Sequence, residues 1–160
     1  LRSRGLGDVY KRQGITGVSF ASGGKIKIAH LPAIASLTAK NLNYLTDLTI
    51  EDYTNITTLT VEKCATIDLK DMLGKCTNLN RVRITGIDWE LADTSLLNRL
   101  YAMSGLDENG YNTDNSVMEG KVHVPIIRER EKLLYTERWP DLEITYNTMI
   151  NQYALSLIHI

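Results

Sequence analysis

Cysteine, phenylalanine and proline are scarce in these 160 residues, at two, one and three copies. Cys64 and Cys76 have no Cys-x-x-Cys spacing and no histidine close by, so they lack the four tightly paired ligands of a zinc site. They are expected to be reduced thiols packed as small hydrophobes, with a disulfide as the alternative. No apolar run approaches bilayer length, and no membrane insertion is expected. GxGxxG and P-loop segments are absent, which removes the common nucleotide sites. The formal net charge is −1, with no basic stripe and no basic-aromatic interleaving, so nucleic acid is not an expected partner.

The two ends stand apart from the rest. DVYKRQ (8–13) and LSLIHI (155–160) are translations of reverse-complementary codons, the pattern produced when a sequencing adapter is read through both junctions of an insert. Residues 1–13 and 155–160 are therefore expected to be adapter-derived and are set aside, as a fusion scar would be. Setting aside Arg2, Arg4, Lys11 and Arg12 against Asp8 leaves a net charge of about −4. The remaining chain is long enough for one domain with a sizeable core.

A regular spacing dominates residues 31–87. The frame L-x-x-L-x-x-L-x-L-x-x-L fits Leu31, Ile34, Leu37, Ala39 and Leu42, and again Leu42, Leu45, Leu48, Ile50 and Tyr53. A third copy runs through Tyr53, Ile56, Leu59, Val61 and Cys64. After Ile67 the segment IDLKDMLGK intervenes, and the frame returns at Cys76, Leu79, Val82, Ile84 and Ile87. Internal repetition at fixed spacing points to stacked units. Each L-x-L core predicts a short strand with alternate side chains inward, and the flanking apolar residues fill corners. Four unrelated strands of an ordinary sheet are the alternative.

DMLGKCTNLNRVRI (71–84) resembles the bacterial surface-antigen type of leucine-rich repeat found in gut bacteria and their phages. Met72 and Leu73 take the place of that family's aromatic or aliphatic pair, Cys76 its cysteine, and Leu79, Val82 and Ile84 its strand ladder. The resemblance is specific over this unit and weaker over residues 31–64. It implies a leucine-rich-repeat-like parallel β-solenoid, an α/β repeat, with the cysteine as a packing residue. It also implies an extracellular setting, on a bacterial cell surface or a virion tail.

The flanks read as caps. In residues 14–30, Val18 and Phe20 alternate, Gly23 and Gly24 suggest a turn, and Ile26 and Ile28 alternate again, which predicts a β-hairpin. Residues 88–154 predict an α/β closing unit. There Asp93 is placed to cap a helix carrying Leu96, Leu97, Leu100 and Tyr101, with Gly105 to end it. LDENGYNTDNS reads as a polar loop, and KVHVPI as a strand with Val122 and Val124 inward, limited by Pro125. Residues 127–138 read as a charged helix with Leu133, Leu134 and Trp139 inward, stopped by Pro140. LEITY is a further strand, and the strand–helix–strand order suits a parallel extension.

Chemistry is sparse. Asp107 to Asn115 lacks the glycine position of an EF-type calcium loop, and no metal or cofactor is expected. His30 and His123 are the conventional imidazole bases of the chain between its ends, each expected at a surface or edge. Asn55-Ile56-Thr57 matches a glycosylation sequon as easily by chance as by design. If alternate half-units form two faces, Ser36, Thr58 and Arg81 share a row, as do Thr38, Thr60 and Arg83, with Lys40, Glu62 and Thr85 beside them. Asp47, Thr49 and Glu51 then stand on the other face. Thr38, Thr58, Thr60, Arg81 and Arg83 are the candidate binding residues, for a protein or glycan ligand held on a rigid sheet. Threonine is equally expected there for its β-propensity alone. The expected role is non-catalytic recognition or display; the alternative is an accessory or catalytic module of a carbohydrate-active enzyme.

Overall fold

In the computed structural model, residues 17–20, 26–31, 34–42, 45–64, 68–111 and 113–147 are described. They form an α/β arrangement of parallel strands and helices in two compact units, residues 1–83 and 84–160. Both adapter-like ends and the Gly23-Gly24 segment lie outside the described residues.

The first unit contains β1 (Gly17–Phe20), β2 (Ile26–Leu31), β3 (Ser36–Lys40), β4 (Leu45–Ile50), β5 (Thr58–Glu62) and helix α1 (Leu69–Lys75). β6 (Arg81–Glu90) begins in this unit and is the neighbour of β5. The order is β1-β3-β5-β6, while β2 and β4 pair in a separate sheet. Alternate half-units of the sequence frame thus lie in two sheets.

The expected hairpin of residues 14–30 does not form. β1 pairs in parallel with β3 and β2 in parallel with β4, so the two strands belong to different sheets. The physical reason is register. Val18 falls opposite Leu37 and Phe20 opposite Ala39, so GVSF extends the L-x-L ladder by one more strand and need not fold back on IKIAHL.

The ladder continues with Leu37 opposite Leu59 and Ala39 opposite Val61. All four side chains are buried, while Ser36, Thr38, Thr58 and Thr60 are half-buried between them. Val82 and Ile84 are also buried. Removing a leucine-sized side chain from water contributes about 2 kcal/mol each. The outer hydroxyls contribute little by comparison, so the inward column holds the strands in register.

The corners repeat as well. The Ala35 carbonyl accepts from the amides of Thr57 (2.9 Å) and Thr58 (3.3 Å), and the Thr57 carbonyl accepts from those of Asn80 (2.9 Å) and Arg81 (3.1 Å). Where each strand ends, the backbone turns left-handed at Asn41 (φ 57°) and Lys63 (φ 51°). Asparagine tolerates that conformation; lysine is held there against its preference. The Asn41 amide donates to the Glu62 carbonyl at 2.8 Å, so the turn stays tied to the neighbouring strand.

The slip in the frame after Ile67 has a structural cause. Between β3 and β5 the chain runs through β4 and a single 3-10 turn at Tyr53–Asn55, but between β5 and β6 it runs through α1. The Asp68 carboxylate accepts from the Asp71 amide at 3.1 Å and starts this helix, which buries Leu69, Met72 and Leu73 on one face. Cys76 follows, buried, and Cys64 is buried with its thiol directed at the carbonyls of Glu62 (3.2 Å) and Ala39 (3.5 Å). Neither cysteine is in a disulfide. Burial pushes the Cys64 thiol pKa up, which keeps it protonated and inert.

The second unit contains the rest of β6, helix α2 (Ser95–Met103), β7 (Ser116–His123), helix α3 (Glu129–Arg138) and β8 (Leu142–Thr145), with strand order β6-β7-β8. β7 and β8 are parallel and α3 crosses between them, as the strand–helix–strand reading expected. β7 is longer than KVHVPI suggested, and Val124 lies just beyond its end, buried, with its amide on the Thr145 carbonyl at 2.8 Å.

Three assignments in this unit are corrected, one outward and two inward. Thr85 is buried and does not stand in the outward row. Ile84 and Thr85 are consecutive inward residues, followed by Gly86 at φ 65°, and this break resets the alternation so that Ile87, Trp89 and Leu91 point inward. Leu133 and Leu134 are exposed, at 57% and 40%. The phase of α3 is set instead by Ile127, Tyr135 and Trp139 at four- and eight-residue steps, all buried. Gly120 is required where β7 meets β6: at φ 124°, a Cβ there would lie 2.5 Å from the Ile87 carbonyl oxygen.

Replacing Lys63 by glycine removes the left-handed penalty at some cost in unfolded-chain entropy. Lys63→Gly is expected to raise stability by about 0.5–1 kcal/mol, and Lys63→Val to lower it by about 1 kcal/mol or more. Urea midpoints of the two variants measure both.

Candidate functional site

The sequence-predicted residues do come together on the first unit. Ser36 is in register with Thr58, Thr38 with Thr60, and Lys40 with Glu62. The doubled amide bonds at Thr57 repeat those at Ala35 one strand on, so Arg81 stands beside Thr58 as Thr58 stands beside Ser36. Two rows of side chains therefore cross the strands at steps of about 4.8 Å. One is Ser36, Thr58, Arg81; the other is Thr38, Thr60, Arg83. Both arginines are exposed.

Charge is distributed unevenly across these rows. Glu62 lies between two cations, with Lys40 Nζ at 3.7 Å and Arg83 Nε at 3.1 Å. Side-chain exposures of 41%, 24% and 48% for Lys40, Glu62 and Arg83 leave this triad in water, where such pairs are worth about 0–1 kcal/mol. It orders the side chains more than it stabilises the fold. Arg81 makes no ion pair among the described residues. Thr49 on β4 and Glu51 just past its end are exposed, and the Asp47 side chain lies outside the described residues.

His123 Nδ1 is 2.7 Å from Thr145 Oγ1, its in-register partner on β8, and the ring is half-buried. The His30 side chain is outside the described residues. In the 107–115 loop the Asp107 Oδ1 accepts from the amides of Asn109 and Tyr111, each at 2.9 Å, and Gly110 takes φ 86°. The carboxylate closes its own turn. Among the described residues no three His, Cys, Asp or Glu side chains gather as a metal site, and no helix is long and apolar enough to cross a membrane.

The second unit holds a polar-aromatic cluster that sequence reading missed. The Asp93 Oδ1 accepts from the Ser95 amide at 3.0 Å just ahead of α2, whose cap residue is Thr94 and not the expected Asp93. The Tyr135 hydroxyl of α3 donates to Asn98 Oδ1 of α2 and lies 3.2 Å from Glu131 Oε2, which also accepts from Thr94 Oγ1 at 3.1 Å. Arg138 donates to Ser104 Oγ at 2.6 Å and lies over the Tyr101 ring at 4.3 Å. Tyr101, Tyr135 and Trp139 pack ring to ring, and the Trp139 indole donates to the Ser116 carbonyl at 3.0 Å. The signal was present in Glu131, Tyr135 and Trp139, which share a helix face, but Leu133 and Leu134 drew the phase away from it. With every one of these groups engaged, the cluster is a clasp between helices.

No protein-family model, curated protein or solved structure matches the chain. The class defined by what is described is therefore a parallel-sheet α/β protein with a polar outward face.

Burial, then the Glu131 carboxylate, raises the Tyr135 phenol above its ordinary pKa of 10.0. A raised phenol pKa means the folded chain keeps a proton that the unfolded chain gives up. The stabilisation is thus complete below pH 10 and is lost as pH rises beyond it toward the folded value. Tyr135→Phe is expected to cost about 1–2 kcal/mol at pH 8 by removing a buried donor. The difference from the parent chain should shrink at pH 11, as read from urea midpoints at the two pH values.

Proposed function

We propose that this chain is a non-catalytic recognition or display module, a right-handed leucine-rich-repeat-like solenoid of the bacterial surface-antigen type. Its setting is a bacterial cell surface or a phage tail, and it binds a protein or glycan ligand on the outward face of β3, β5 and the start of β6. One observation carries this reading. The same features recur at intervals of 22 and 23 residues: paired amides on one carbonyl at Ala35 and Thr57, and left-handed turns at Asn41, Lys63 and Gly86. Inward aliphatic columns and outward polar rows follow the same interval. Stacked units of that kind offer a rigid surface whose side chains are ordered before a ligand arrives.

The pairing of β1 with β3 adds a strand to the stack where a hairpin was expected to close it. α1, in the segment that resembles the surface-antigen repeat, supports the same assignment, because Met72, Leu73 and Cys76 are all buried where the resemblance calls for packing residues.

Thr58 and Thr60 are outward, on a strand that tolerates aromatic residues, so Thr58→Tyr with Thr60→Tyr blocks the face without touching the core. Screening the full chain on glycan and surface-protein arrays is expected to yield a ligand whose affinity falls about tenfold or more in this double variant, a loss of about 1.4 kcal/mol. Equal binding by both chains, turnover of a bound glycan, or no retained ligand would overturn the reading.

A further inference from the structure

We infer that the ligand of the outward face is an anionic glycan, a polymer of carboxylated or sulfated sugars. The inference rests on the proposal that this face is the binding surface and specifies the chemistry it takes. The chain as a whole is acidic, with formal net charge −1, yet the described outward residues of β3, β5 and β6 up to Arg83 carry Lys40, Arg81 and Arg83 against the single anion Glu62. Lys63 is exposed at the corner next to Glu62. A net positive patch on an acidic protein is a local reversal of sign, and it attracts a polyanion while the remainder of the surface repels one.

The arrangement within the patch is polar from edge to edge. Glu62 engages Lys40 and Arg83 at one end of the rows. Arg81 stands at the other end, beside the Thr58 hydroxyl and without an ion pair among the described residues. A guanidinium fork matches a carboxylate or sulfate edge, and hydroxyls donate to and accept from sugar hydroxyls. Arg81 and Arg83 are two residues apart on one strand, so their Cα atoms are about 7 Å apart and their side chains share a face. This suits two successive anionic groups along a polymer better than one isolated anion.

The same face lacks what a protein partner uses. Protein interfaces centre on aromatic or aliphatic anchors surrounded by a polar rim, and none of the described outward residues on β3, β5 or β6 up to Arg83 is aromatic or aliphatic. Single-stranded nucleic acid would need stacking aromatics, which are missing for the same reason. A hydrated, hydroxyl-rich polyanion asks for neither.

The test uses the full chain and four soluble probes by titration calorimetry at low salt: hyaluronate for carboxylate, heparin for sulfate, dextran as a neutral glycan and polyglutamate as an acidic peptide. Hyaluronate or heparin is expected to bind, whichever does so naming the anion, and binding should weaken as salt screens the arginines. Arg81→Ser with Arg83→Ser should reduce affinity about tenfold or more, with an unchanged far-UV circular dichroism spectrum. Glu62→Gln, which releases Lys40 and Arg83, should strengthen binding severalfold, an effect that a damaged fold would not produce.

Failure here is separable from failure of the display reading. Dextran binding that is lost in Thr58→Tyr with Thr60→Tyr but unchanged in the arginine variant would leave the face as the site and overturn its anionic specificity. Polyglutamate bound more tightly than either anionic glycan would overturn the inference in favour of an acidic protein. No binding by any probe would overturn it outright. Polyanion binding unaffected by both double variants would overturn the inference and the assignment of the face together.

Discussion

Register between parallel strands is the constraint on which the first unit depends. Leu37 opposite Leu59 and Ala39 opposite Val61 put four aliphatic side chains in one dry column, and a slip of one residue would send that column into water and the threonines into the core. No single cross-strand contact is strong. The burial of the whole set selects one alignment, and the same selection fixes which hydroxyls and guanidiniums face outward. The candidate site is thus a by-product of the core.

Keeping that register from one strand to the next requires corners that reset the chain identically. The amides on the Ala35 and Thr57 carbonyls and the left-handed residues Asn41 and Lys63 serve this end. Lys63 accepts an unfavourable backbone because the strands on either side define where it must turn. In the second unit Gly86 takes the same conformation without penalty, and the paired inward residues before it shift the alternation to bury Ile87 and Trp89. Helix α1 comes between β5 and β6 in the chain as β4 comes between β3 and β5, and it buries Leu69, Met72 and Leu73.

Strand positions were legible in the sequence wherever an apolar period of two met a fixed interval, which is why Ser36, Thr38, Thr58, Thr60, Arg81 and Arg83 were assigned outward correctly. Pairing partners were not. Alternation states which side chains go in, but it does not state whether GVSF turns back on IKIAHL or waits for SLTAK, and Gly23-Gly24 suits both. Helix phase in a charged segment was similarly underdetermined. Leu133 and Leu134 are the most apolar residues of α3, yet Tyr135 and Trp139 bury larger surfaces and find partners for their polar atoms in Asn98 and Ser116. The Glu62 triad was invisible because its members are 21 and 22 residues apart and only the ladder brings them together.

The central claim is that the inward column, and not the outer polar rows, holds the strands in place. It is tested most directly by truncating neighbours on β5 that face opposite ways and comparing their stabilities in urea. Leu59→Ala is expected to cost about 2–5 kcal/mol, and Thr60→Ala, one residue along, within about 1 kcal/mol. Equal losses at the two positions, or a larger loss at Thr60, would contradict the account.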